Sequence, residues 1–290
     1  MLSIIIPSKT EIFLQKTILD VLNKATGEIE IFPILDGYEP PANEIVDDKR
    51  VKYIRLSKSY HTQKRHGINL VASICKGKYI MSLDAHCMMA EGFDEVLIKD
   101  LEDDWVAVPR RNRLDAENWC LQNQIDDRPP IDYEYIMWPL QFNPIGFHGY
   151  KWDDRTLKRW DIKIDDTITF QGSCWIMWKS WFKRCGFMQI AGYTGWGMEA
   201  EEISFTTWLT GGRIVTNKNT FYAHLHKGRE YGRMYFLPKA ETRLCNKYCY
   251  EFWTKDKPLK NRIHNFSWLI KKFWPLPGWP DDWQERMELK

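Results

Sequence analysis

An α/β fold with a mostly parallel central sheet flanked by helices is the class this sequence predicts. Three observations carry that prediction. Short β-branched runs alternate with helically spaced apolar stripes over the first third of the chain; the runs stop at Pro, Asp or Gly; and 290 residues with 44% hydrophobic and 14% aromatic content can bury a full core.

The first run, Leu2 to Ile6, is closed by Pro7, and the stretch from Glu11 to Lys24 then carries Leu14, Ile18, Val21 and Leu22 at helical spacing. Glu28 to Leu35 reads as a second strand, ended by Asp36 and Gly37. Val51 to Arg55 is a third. Thr62 to Cys75 predicts a helix whose Ile68, Val71, Ala72 and Cys75 form one stripe, and Lys78 to Leu83 a fourth strand that stops at Asp84. In sheets of this kind ligands bind beyond the carboxyl ends of the strands. Asp36 and Asp84 both sit at such ends.

Asp84-Ala85-His86-Cys87 is the most informative stretch of the chain. Residues two apart on an extended segment share a face, so Asp84 and His86 are predicted to point at one ion. The plain alternative is a strand-end Asp in a turn beside a surface His, since short acid and imidazole pairs are common. Lys64 and Arg65, with His61 before them, stand at the start of a helix and are candidates to touch an anionic ligand.

Seven cysteines at irregular spacings form no disulfide framework and predict reduced thiols. Met1 is followed by no basic segment, and no run approaches twenty apolar residues, so the expectation is a chain without a secretion signal or membrane span, located in the cytoplasm (of a host, if the source is viral). Residues 109–165, rich in Arg, Asn, Asp and Trp with little periodicity, are predicted as loops over the ligand site. The C-terminal part differs in composition: from Lys227 to Trp274 there are twelve Lys or Arg against four acids, interleaved with Tyr248, Phe252, Trp253 and Trp268. That mixture suits a nucleic-acid contact and equally an amphipathic cap on the domain. Cys245 and Cys249 are spaced like half a zinc site, but no second pair follows.

Taken together, Ile4 to Pro7, Ile34-Leu-Asp36-Gly, and Gly77-x-Tyr-Ile-x-x-Leu-Asp84-Ala-His86 resemble the nucleotide-sugar domain of GT-A glycosyltransferases. Asp-x-His followed by Cys87 is similar to the Asp-Ser-His-Cys of the polypeptide N-acetylgalactosaminyltransferases, of the family 2 and 27 type, rather than the more widespread Asp-x-Asp. Later segments extend the resemblance in order: Gln171-Gly-Ser-Cys174 looks like that family's Ala-Gly-Gly segment, Trp196-Gly-Met-Glu199-Ala-Glu-Glu202 like its Trp-Gly-Gly-Glu-Asn-x-Glu, and Ala223-His224 like its Gly-His. The resemblance spans residues 2 to 226. It implies a catalytic GT-A domain over 1–230; residues 231–290 fall outside it and read, from their composition, as a helical, basic and aromatic extension that is a candidate acceptor-binding region.

What the resemblance implies about chemistry follows from the donor. A nucleotide diphosphate leaves with growing negative charge, which Mn2+ or Mg2+ stabilises as a Lewis acid, and imidazole ligands tilt the choice toward Mn2+. Asp84, His86 and His224 are the implied ligands, with His226 an alternative to His224. Donor contacts are implied at Pro7, Asp36, Arg65, Asp84, Gly172, Ser173, Trp196 and Gly197, and catalytic roles at Glu199 and Glu202. Lys227 and Arg229 are candidates to neutralise the diphosphate. Asp36 also has a plain reading as a turn residue before Gly37, and acids at Glu199, Glu201 and Glu202 also suit a helix N-terminus. Ala200 stands where inverting relatives carry the Asp of a general-base pair, which favours retention, although Glu199 or Glu201 could serve as a base. The expected activity is transfer of a sugar from a UDP-sugar to a hydroxyl acceptor. The leading acceptor candidate is a hydroxymethylpyrimidine in DNA, as in phage genomes; a protein Ser or Thr and a glycan or lipid-linked sugar are the alternatives. A non-catalytic sugar-nucleotide or carbohydrate-binding module is the reading from another class.

Overall fold

The computed structural model describes residues 1–57, 63–122, 128–193, 197–228, 231–232, 238–255 and 259–289. In chain order the elements are β1 (Leu2–Ser8), α1 (Leu14–Lys24), β2 (Ile29–Asp36), β3 (Ile54–Leu56), α2 (Gln63–Ile74), β4 (Tyr79–Leu83), β5 (Cys87–Met89), α3 (Phe93–Lys99), β6 (Trp105–Asp115), β7 (Cys120–Leu121), β8 (Glu134–Ile136), β9 (Gly149–Lys151), α4 (Asp153–Lys158), β10 (Ile164–Asp166), β11 (Cys174–Trp178), α5 (Lys179–Arg184), α6 (Glu199–Leu209), β12 (Arg213–His224), α7 (Lys239–Thr254), α8 (Phe266–Phe273) and α9 (Trp283–Arg286).

The main sheet runs β10-β12-β6-β11-β4-β1-β2-β3. Its N-terminal half is parallel, as the βαβ alternation predicts: β1 pairs with β2 and β4, and β2 with β3. β6 and β12 also run parallel to each other, but β11 enters antiparallel between β4 and β6. This reversal positions the site. Cys174 pairs with Leu83, so the turn before β11 lies beside the end of β4.

Alternation along the strands supplies two cores. Ile5 and Ile80 face the side covered by α2 and α6, with Val71, Trp175, Phe205 and Trp208. Ile4, Ile6 and Met81 face the other side, with Ile18 and Val21 of α1 and Phe93 and Leu97 of α3. Close approach needs glycine at Gly77, where a Cβ would stand 2.2 Å from Ser3 Oγ and 2.7 Å from the Ser3 backbone nitrogen.

Two expectations change here. Residues 109–165 are not simply loops: β6 continues to Asp115, β8 and β9 form a hairpin, and α4 and β10 follow. Hydropathy misses this stretch because its polar residues are paired, half-buried Arg110 with buried Asp132 and buried Arg111 with buried Glu134. The C-terminal aromatics are also placed differently from a nucleic-acid contact. Cys245, Cys249, Phe252 and Trp253 of α7, and Phe266, Leu269, Ile270 and Phe273 of α8, join the same core as Trp175 and Phe205. Lys239, Arg243, Lys247 and Lys255 stay on the exposed side, as a solvated helix face requires. Among the described residues no helix is long and apolar enough to cross a membrane.

Candidate active site

Three segments meet at one edge of the sheet. Asp84 follows β4, and its N–H donates to the Ser173 carbonyl at 2.7 Å. His224 ends β12 opposite Cys87 of β5, and the next residue, Leu225, donates its N–H to the His86 carbonyl at 3.1 Å. One ligand atom each from Asp84, His86 and His224 lies within 4.8 Å of the others. Among the described residues this is the one group of three or more His, Cys, Asp or Glu so placed. His226 is exposed, its ring 5.2 Å from that of His224 by centroid.

The electrostatics suit a cation. Burial alone would raise the Asp84 carboxyl, but Lys64, whose Nζ is 3.2 Å from Oδ1, together with His224 and His86, holds it well below the usual carboxylate range. Burial also pushes the His224 imidazole down to about 3, so the ring is neutral at physiological pH. Both His224 ring nitrogens are buried without a hydrogen-bond partner, and Nε2 is 3.5 Å from Asp84 Oδ2. A buried lone pair left this way costs free energy unless a hydrogen-bond donor or a cation meets it. The donor set of one carboxylate and two imidazoles therefore fits a divalent cation.

Gly172 and Ser173 sit in the turn before β11. A Cβ on Gly172 would stand 3.7 Å from that of Ala200, so the turn faces the start of α6. The Ser173 hydroxyl is turned inward, bonded to the Gln171 side chain at 2.9 Å and to the Tyr222 hydroxyl at 2.7 Å, so Ser173 contributes its backbone to the edge. Gly197 adopts φ +108, a value that only glycine takes easily, and leads into α6. Glu199 begins α6 and is buried. Pro7 and Asp36 lie at the carboxyl ends of β1 and β2, at the same edge as Asp84, and the Asp36 carboxylate accepts from Lys9 Nζ at 2.9 Å. Trp196, His61 and Arg229 lie outside the described residues.

Arg65 and Glu202 meet each other rather than standing apart. They are paired with each other, 1% and 2% exposed. Arg65 Nη2 also donates to the Gly197 carbonyl at 3.1 Å, its guanidinium lies 4.0 Å from the Tyr193 ring centroid, and Glu202 Oε1 accepts the Gln189 N–H at 2.6 Å. Both side chains are engaged by one another and by the Gly197 and Gln189 backbone, an arrangement that braces the approach to α6.

Sequence reasoning missed Glu11, Arg111 and Glu134. Glu11, in the segment after β1, is buried against His86 and Lys227. Arg111 Nη2 is 2.8 Å from Glu134 Oε1, and a Cβ on Gly149 would lie 3.1 Å from Glu134 Oε2 and 3.6 Å from Glu201 Oε1. The hairpin glycine thus lets β9 rest against two carboxyls. Burial, with the Glu134 and Glu199 charges beside it, pushes Glu201 up to about 7. The only sequence signal for Glu11 was an acid opening the helically spaced stretch after the first strand.

A mixed α/β sheet with a carboxylate and imidazole cluster at its ligand-binding edge is the class that fold and site define, a GT-A domain. The chain belongs to glycosyl transferase family 2, whose profile matches residues 3–186 and so takes in Asp84 and His86 but not Glu199 or His224. Among curated proteins it is 24% identical over 217 residues to polypeptide N-acetylgalactosaminyltransferase 5 of Caenorhabditis elegans, covering 69% of this chain and 32% of the relative. It is 24% identical over 262 residues to the human polypeptide N-acetylgalactosaminyltransferase 12, covering 83% and 44%. The chain thus spans less than half the length of these relatives. Its fold is similar to that in a crystal structure of GalNAc-T7 with UDP, GalNAc and Mn2+, with a TM-score of 0.62 and 16% identity over 100% of this chain and 55% of the other.

Proposed function

We propose that this chain is a metal-dependent glycosyltransferase that moves a sugar from a UDP-sugar to a hydroxyl acceptor with retention of configuration. The observation that carries the reading is the convergence of Asp84, His86 and His224 at the ligand-binding edge of a family 2 domain. Those three residues would hold Mn2+ or Mg2+, which when bound supplies Lewis-acid stabilisation of the leaving diphosphate. Asp84 is ionised and His224 neutral at physiological pH, the protonation states a ligand needs. Gly172 and Gly197 leave room for the donor's approach beside α6. The similar crystal structure, with its UDP, GalNAc and Mn2+, supports this choice of donor and cation.

Retention rests on Ala200, a side chain without a carboxylate at the position facing Gly172. For the acceptor we place a polypeptide Ser or Thr first, because the curated relatives are named polypeptide transferases. The DNA acceptor expected from the tail loses part of its basis, since Phe252, Trp253, Phe266 and Phe273 are core. UDP-sugar hydrolysis measured with and without Mn2+ separates an enzyme from a binding module, which would show none. A screen of labelled UDP-sugars over peptides, glycans and modified DNA then fixes the acceptor, and NMR of the product reads its anomeric configuration. An inverted product would refute retention.

A further inference from the structure

We propose that Glu11 is a positioning residue for the cation site: its carboxylate fixes the ring tautomer of His86, and Lys227 fixes the carboxylate. The inference rests on the reading of His86 as a cation ligand. Glu11 Oε2 lies 3.0 Å from His86 Nδ1 and 2.5 Å from Lys227 Nζ. Glu11 is 7% exposed. A lysine ammonium only donates, so the oxygen it meets is an acceptor, and an ionised carboxylate accepts at both oxygens. His86 Nδ1 must therefore carry the proton, which leaves the Nε2 lone pair for a cation. The three residues come from three places: the segment after β1, the turn before β5, and the segment after β12. One carboxylate oxygen thus ties together the backbone segments that carry His86 and His224.

The test uses the full chain and the metal ion itself. Mn2+ affinity is measured by electron paramagnetic resonance titration for the native protein and for Glu11→Ala, Glu11→Gln, Lys227→Met and His86→Ala, alongside long-range 1H–15N correlation of the His86 ring in the metal-free proteins. In the native protein His86 is expected in the Nδ1–H tautomer. Glu11→Ala is expected to weaken Mn2+ binding roughly ten- to hundredfold, the usual effect of removing such an outer partner, and to bring up the Nε2–H tautomer. Glu11→Gln keeps an acceptor oxygen and is expected to lose less; should Glu11→Ala not fold, the weaker binding and the Nε2–H population of Glu11→Gln carry the test. Lys227→Met is expected to fall between Glu11→Gln and Glu11→Ala. Native Mn2+ affinity and an unchanged tautomer in the Glu11 variants, with binding lost in His86→Ala, would overturn the positioning role alone. Native affinity in His86→Ala would overturn both this role and the ligand assignment beneath it.

Discussion

Replacing Glu202 by Gln tests whether the acids at the start of α6 are chemistry or scaffold. The oxygen of the new carboxamide can still accept the Gln189 N–H that Glu202 Oε1 holds at 2.6 Å. Its amide nitrogen, however, would face Arg65 Nη1, donor against donor. Arg65 is 1% exposed and its Nε already lacks a partner, so its charge has nowhere to go. Removing one member of a buried ion pair costs about 3–5 kcal/mol, because the other charge stays buried and uncompensated. For a chain of this size each kcal/mol lowers Tm by about 2 °C, so Glu202→Gln should unfold roughly 6–10 °C below the native protein in calorimetry. The double variant Arg65→Met, Glu202→Leu removes both charges and fills their space, and should recover most of the loss.

Activity separates the two roles. Where Glu202→Gln remains folded, a scaffold role predicts a kcat within about tenfold of native, whereas loss of a group that transfers a proton costs about 10²–10⁴-fold. A native Tm combined with a hundredfold loss of turnover would refute the bracing assignment and return Glu202 to the chemistry.

Other predictions follow from the same contacts. Asp84→Asn and His224→Ala should each abolish Mn2+ binding in a paramagnetic resonance titration and reduce turnover by at least about two orders of magnitude, since each removes a ligand outright. Glu201→Gln should flatten stability against pH. A carboxyl raised from 4.5 to about 7 favours folding fully below 4.5 and loses that contribution as pH rises through about 7. Native protein should therefore lose up to about 3 kcal/mol across that window, and Glu201→Gln, followed by urea unfolding, should not. Trp253→Ala should destabilise by about 3–5 kcal/mol through the cavity it leaves in the main core. A native Tm for that variant, with weakened salt-sensitive binding to DNA, would restore the nucleic-acid reading of the tail.

How far the sequence shows all this depends on the range over which each contact acts. β1, β2 and β4 were legible because buried parallel strands read as continuous apolar runs, and Pro7, Asp36 and Asp84 mark where they stop. Their ends are where the sheet binds, so Asp84 and His86 could be placed from local pattern, and His224 only with the resemblance. β6 was not legible: Pro109, Arg110, Arg111 and Asn112 look like a loop until Asp132 and Glu134, more than twenty residues on, are seen to pair with the two arginines.

The same argument explains why the pairing of Arg65 with Glu202 was not legible. They are 137 residues apart, and each carries a local signal that suits function: a basic residue at a helix start, and an acid in a motif-like run. Only the third dimension shows that each is the other's counter-charge. α7 shows the converse. Cys245, Cys249, Phe252 and Trp253 stand at helical spacing and could have been read as a buried stripe, but composition averages over both faces of a helix. A basic and aromatic count cannot distinguish a ligand-binding surface from an amphipathic helix whose aromatics face inward and whose lysines face water. For this tail, position around the helix axis decides between the two, and it assigns Phe252 and Trp253 to the core.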